Sequence, residues 1–288
     1  MVHKGTGRRL LMGVGGGCLA LALATAVFAP AQAGTLEEVK AVGAIKVGLA
    51  NQPPYSGLNP DGTVSGFVPT LIKEIMGRLG VPKVEGFVAT YGELIPGLQA
   101  GRWQMIGASF RLTKDRCGQV AFADPVTFDG AAIAYVPGAT DKPGDSLASV
   151  AASGEAVGIL QGSYLLKSAE SAGIDAAKVS QFPNNPALID GLLAKRVPLV
   201  VSTNASLRGL QKARDDAFQI VYPLSDDPPK GSGPAFRQQD NDLRDAFQKE
   251  LRAMKASGEL DKLAAEFGFA PPPPSLANAT AESVCASF

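Results

Sequence analysis

Apolar positions recur along the chain in two registers, a two-residue period that predicts strands and a three-to-four-residue period that predicts helices. After a short helical stretch at 36–42, residues 44–50 alternate and end in the polar Asn51-Gln52, as a strand does when it delivers polar groups at its carboxyl end. Leu71, Ile72, Ile75, Met76 and Leu79 share one helical face, which predicts a helix over 70–79 stopped by Gly80 and Pro82. A second strand at 84–88 follows, Tyr91 begins a loop, residues 93–100 form a helix closed by Gly101, and 105–108 make a third strand. The run from Ile106 to Cys117 then reads as a strand end and a polar loop opening a short helix that Thr113 caps, followed by a further strand at 120–125. Residues 120–136 are strongly β-prone until Pro137-Gly and Lys142-Pro-Gly interrupt them.

A second series of the same kind follows, with strands at 157–160, 179–182 and 199–201 and helices at 162–172, 186–194 and 205–213. Pro234-Ala-Phe236 reads as a strand returning to the first series, and helices are expected at 241–256 and 259–267. Pro271–Pro274 is a stiff extended tail. Two β-α-β-α series predict an α/β protein of two doubly wound layers, with ligands at the carboxyl edges of the strands. Gln52, Tyr55, Tyr91, Ser109, Arg111 and Arg116 converge on such an edge. Arg116 stands out because a guanidinium grips a carboxylate at two points, although a lone Arg is also an ordinary surface residue. Gly162-Ser163 opens a helix whose free N–H groups suit a carboxylate, or Ser163 simply caps it. Thr203 ends another strand.

The N-terminus changes the compartment. Lys4, Arg8 and Arg9 precede an apolar, acid-free run from 10 to 28 and the small-x-small triplet Ala31-Gln-Ala33, so residues 1–33 read as a cleaved signal peptide. The Arg8-Arg9 pair also raises twin-arginine export. Removing this segment takes three of the 27 basic residues and none of the 27 acids, leaving a formal charge of −3 that offers no nucleic-acid surface. The single histidine, His3, leaves with it, which removes imidazole acid–base chemistry and imidazole metal ligation. No metal-ligand spacing occurs and no cofactor is expected. Cys18 lies in the apolar run, so Cys117 and Cys285 remain in an oxidising compartment. They are expected to form one disulfide, the alternative being two buried thiols.

The pattern Ala108-Ser109-x-x-x-Thr113-x-x-Arg116 ahead of Phe122-x-Asp124-Pro125 resembles the binding loop of periplasmic solute-binding proteins, as do Ala50-Asn-Gln-Pro-Pro-Tyr55, Gly66-Phe67 and Tyr91-Gly-Glu-Leu-Ile-Pro-Gly-Leu-Gln-Ala-Gly101. Within that family the chain is most similar to the ectoine and hydroxyectoine binders of ABC importers. The resemblance implies a type II periplasmic binding fold: lobe 1 from 34–132 and 229–288, lobe 2 from 133–228, and a two-strand hinge. It implies a monomer that captures a small solute and docks on a membrane permease, without catalysis. Tyr55 and Tyr91 would be aromatic walls and Arg116 the carboxylate clamp, with Gln52, Ser109, Arg111, Gly162, Ser163 and Thr203 completing the site. Three positions depart from the family's patterns. The acid that amino-acid binders carry near Thr203 is absent, as it is in the ectoine type. Gln52 stands where an acid is expected and Arg111 where a third aromatic is expected. Both of the latter make the crevice more positive and favour a zwitterionic or anionic solute, unless Arg111 turns to solvent. The competing reading is an enzyme on the same fold, such as a periplasmic dehydratase, using Glu93, Asp115 or Asp124 as acid or base.

Overall fold

Two mixed sheets organise the protein, whose computed structural model describes residues 34–288; the expected signal segment lies outside the described residues. The first sheet runs Lys83–Val88, Ala44–Leu49, Met105–Arg111, Lys230–Phe236 and Ala121–Phe122, with Thr127–Asp129 also pairing to Lys230–Phe236. The second runs Val179–Phe182, Val157–Leu160, Leu199–Thr203, Ala131–Tyr135 and Gln219–Val221. In each, three strands lie parallel and a strand from beyond the β-α series joins them antiparallel. The chain leaves the first sheet at Asp129, passes Gly130 and enters the second at Ala131, and it returns between Val221 and Lys230. Two backbone crossings side by side are the arrangement of a hinge.

The apolar periodicity accounts for the cores. The helix Phe67–Arg78 buries Leu71, Ile72, Ile75 and Met76 on the first sheet, and Asn241–Ser257 adds Leu243, Phe247, Leu251 and Met254 to the same cluster. Ile133, Val157, Ile159, Leu199 and Val201 form the corresponding cluster of the second sheet, closed by Leu147, Val150 and Leu165. A third cluster continues from one sheet to the other, from Leu94, Phe110 and Ala235 to Ala132, Leu188 and Val200.

Several boundaries differ from the sequence expectation. The helix expected from 70 begins at Phe67, because Pro69 sits in its first turn, where a missing N–H leaves no internal bond unmade. Tyr91 is the first residue of the helix Tyr91–Gln99 and does not lie on a loop. Its N-cap, Thr90, forms a reciprocal capping box with Glu93. The third strand continues past 108 to Arg111, because Phe110 and Arg111 pair with Gly233 and Ser232 of the returning strand. That partner is more than a hundred residues away, so no local pattern announces it. The extended prolines at the C-terminus lead into a further short helix, Ala281–Ala286.

Candidate functional site

Between the sheets lies a narrow cleft whose free interior is about 20 Å³, little more than a water or two. Gln52, Tyr55, Tyr91, Ser109, Arg111 and Arg116 line it from one side, and Ser163 and Thr203 from the other. Gly162 lies one residue outside, in a wider groove that shares Tyr91, Arg111, Arg116 and Ser163 with the cleft.

Arg116 is carried by a four-residue helix, Lys114–Cys117, whose cap Thr113 accepts the Arg116 N–H at 3.3 Å. Its side chain is 9 % exposed and runs inward, with Cζ 3.9 Å from the centre of the Phe110 ring. Nη1 donates to the Arg111 carbonyl and Nη2 to the Gly162 carbonyl, each at 3.2 Å. Burial lowers its pKa to about 10, with neighbouring Arg111 pushing the same way, so a carboxylate in contact would relieve a real electrostatic cost.

Arg111 does not turn to solvent. It is 3 % exposed, and its Nη2 donates to the Asp129 carbonyl and to the Tyr164 hydroxyl, each at 2.8 Å. Its Cζ stands 4.3 Å from the centre of the Tyr164 ring. The aromatic face expected at position 111 is therefore supplied by Tyr164 across the cleft, and the protein's own cation occupies it. Tyr91 likewise has Arg116 near its ring, 5.9 Å from the centre, and donates its hydroxyl to Gln52 Oε1. Gln52 Nε2 then donates to Thr203 Oγ1 at 3.2 Å, linking the two sides. Ser109 Oγ sits 2.8 Å from Thr127 Oγ1. Burial raises the phenol pKa of Tyr55, Tyr91 and Tyr164, so all three are neutral hydrogen-bonding groups.

Sequence reasoning missed Asp129. It is buried at the crossing between the sheets and lines the cleft. Its carboxylate accepts the Tyr55 hydroxyl and the N–H groups of Gly130, at 2.8 Å, and Ala205, at 2.9 Å. Ala205 belongs to the helix that begins just after Thr203, so an acid from elsewhere in the chain reaches the neighbourhood where the family's acid is absent from the local sequence. The available signal was Phe128-Asp129-Gly130, an acid before glycine inside an otherwise apolar run. Tyr164, beside the singled-out Ser163, was also missed as a lining residue, together with Ser202 and Ser232.

The acids of the competing enzymatic reading have other roles. Glu93 accepts the Thr90 N–H at 2.9 Å, Asp115 pairs with Lys167, and Asp124 accepts Gln248 Nε2 at 2.6 Å and Arg252 Nε at 3.1 Å. None of the three lines the inner cleft.

Two sheets joined by paired crossings, with a polar cleft of buried Arg, Asp, Tyr and Gln between them, define a solute-capturing protein of the periplasmic binding class. The chain belongs to the bacterial extracellular solute-binding proteins, family 3, whose profile matches residues 45–270. It is 28 % identical over 262 residues to a probable amino-acid ABC transporter periplasmic-binding protein of Sinorhizobium fredii, covering 87 % of this chain and 86 % of that one. It is 27 % identical over 224 residues to the lysine/arginine/ornithine-binding periplasmic protein of Escherichia coli, covering 74 % and 83 %. Among solved structures, EhuB in complex with hydroxyectoine superposes with a TM-score of 0.82 at 33 % identity, covering 88 % of this chain and 98 % of that one. Members of this family are extracytoplasmic solute-binding receptors of ABC importers.

Proposed function

We propose that this protein captures an amino-acid-like zwitterion and delivers it to an ABC permease. The observation that carries the reading is that two guanidiniums and one carboxylate, all nine-tenths buried or more, meet in one cleft between two sheets. Arg116 takes the solute carboxylate. Asp129 takes the ammonium: its two oxygens already accept three donors and have capacity for one more. Tyr55 and Tyr91 form the walls, Gln52 and Thr203 join the two sides, and Ser109, Arg111, Gly162 and Ser163 complete the rim.

The lobes are residues 34–129 with 230–288 and residues 131–221, with Gly130 and the 222–229 segment as hinges; the first boundary falls before the expected 132/133 because Ala131 and Ala132 already pair in the second sheet. Closure around the solute creates the face that the permease reads, and the receptor works as a monomer. The N-terminal 33 residues direct export, through the twin-arginine route if Arg8-Arg9 is its signal. An ectoine-like solute fits less well, because Arg111 occupies the Tyr164 face that its cationic ring would need.

Thermal unfolding against amino acids, ectoine, hydroxyectoine and small dicarboxylates tests this, since a ligand raises the midpoint by mass action. Amino acids are expected to raise it, and Arg116→Ala is expected to weaken binding by about 2 to 5 kcal/mol. A midpoint unmoved by every amino acid in the panel removes the reading.

A further inference from the structure

Arg111 carries a buried charge that is met only by the Tyr164 ring and by the field of the nearby Asp129 carboxylate, with hydrogen bonds left unmade. Only Nη2 of its guanidinium is hydrogen-bonded, and Nε and Nη1 reach no acceptor although the side chain is buried. The bond from Nη2 to Asp129 goes to the backbone carbonyl. The Asp129 carboxylate is turned instead toward Tyr55, Gly130 and Ala205, and among the described residues no ion pair includes Arg111. Asp227, behind Tyr164, is engaged by the Ala131 N–H and by Lys230. Across the cleft a second group is in the same condition: Ser163 Oγ is buried without a partner and lines the same space.

Unanswered polar groups at this depth cost stability, and a guanidinium costs more than a hydroxyl. Their position beside a solute cleft makes a bound anion the natural acceptor. The lining adds a charge argument. Arg111 and Arg116 face a single lining carboxylate, Asp129, so the inner cleft carries an excess of one positive charge. An amino acid with a neutral side chain brings one carboxylate and one ammonium and leaves that excess in place. A second acidic group on the solute removes it.

Resting on the receptor reading above, we infer that Arg111 and Ser163 form a second anion subsite and that the solute is an amino dicarboxylic acid or an amino acid ending in a comparable oxyanion. Arg116 holds one acidic group, Asp129 the ammonium, and Arg111 with Ser163 Oγ the other acidic group. Arg111 could otherwise be a strut that links the two sides through Tyr164. A strut accounts for the Nη2 bonds but provides no use for Nε, Nη1 or the Ser163 hydroxyl.

Titration calorimetry of the purified protein with aspartate, glutamate, asparagine and glutamine separates the two. Charge-assisted bonds at Arg111 should make an acid bind about 10- to 100-fold more tightly than its amide. Arg111→Gln should bring the better acid and its amide to within about threefold of each other, whereas Arg116→Ala should weaken both in parallel. Equal affinity of the wild-type protein for acid and amide, or a parallel loss of both in Arg111→Gln, makes Arg111 a strut and overturns the subsite. If only neutral or basic amino acids bind, the subsite is wrong and the receptor reading stands; if no zwitterion binds, both fall. Should Arg111→Gln fail to fold, the wild-type acid-to-amide ratio decides alone, with Ser163→Ala expected to reduce that ratio.

Discussion

Asp129 shows how burial sets the behaviour of a single residue. Loss of solvation raises its carboxyl pKa above the usual value, and the Ala205 N–H, the Tyr55 hydroxyl, the Gly130 N–H and the charge of Arg111 only partly oppose this. The folded protein therefore holds that proton more tightly than the unfolded chain does. As pH rises from the ordinary carboxylate range through the raised value, this group withdraws stability, and above it the loss is complete. Binding has the opposite sign, because an ammonium pairs with the ionised form. Affinity for a zwitterion should fall as pH drops through the raised value, by about tenfold per pH unit below it, and Asp129→Asn should flatten that limb. Calorimetry across a pH series measures both, and an acid limb that persists in Asp129→Asn would take the ammonium away from this residue. Arg116 was readable from its motif. Asp129 was not, since nothing in Phe128-Asp129-Gly130 says which groups will surround it.

The element that carries Arg116 cannot sustain itself, because a four-residue helix is far below the length at which helices are stable alone. It is held from outside. Cys117, its last residue, is bonded to Cys285 in the helix Ala281–Ala286, and the Ala281 N–H donates to buried Asp124 at 3.0 Å. The same carboxylate ties in Gln248 and Arg252 of the long helix, so the C-terminal segment latches the binding loop to the rest of the first sheet. Closing a loop of 168 residues constrains the unfolded chain. Cys117→Ser with Cys285→Ser should accordingly lower stability by about 4 to 5 kcal/mol on the chain-entropy estimate. Solute affinity should also fall, as Arg116 loses its anchorage. Denaturant midpoints and calorimetry of oxidised, reduced and variant protein measure the two effects; unchanged affinity in the variant would reduce the bond to a staple without influence on the site. Cysteine count and compartment were enough to anticipate this pair. The terminal helix was not anticipated, because six residues after a proline run are too few to show apolar periodicity, although Thr280 and Ser283 form its capping box.

At the scale of the whole molecule, closure depends on how nearly the two sides approach. Gly162 has φ +68°, and a Cβ there would stand 2.2 Å from the Gly92 nitrogen on the opposite side. Only glycine meets both conditions cheaply, and the same residue presents its carbonyl to Arg116. Gly162→Ala should cost about 1 kcal/mol of stability for the backbone conformation. Its larger effect should be on closure: weaker solute binding, and a smaller contraction on adding solute by small-angle scattering. A variant that contracts and binds like the parent would show that this contact does not limit closure. The residue order by itself determined the alternation of strands and helices, the two layers, the capped turn that carries Arg116 and the pairing of cysteines, because these follow from periodicity, breakers and compartment, all of which act locally along the chain. Only the tertiary structure decided that Arg111 turns inward onto Tyr164, that Asp129 enters the cleft, and that Arg111 and Ser163 are left without partners. Burial and missing partners are properties of a place enclosed by segments from both sheets, and they exist only once residues far apart in sequence have closed around it.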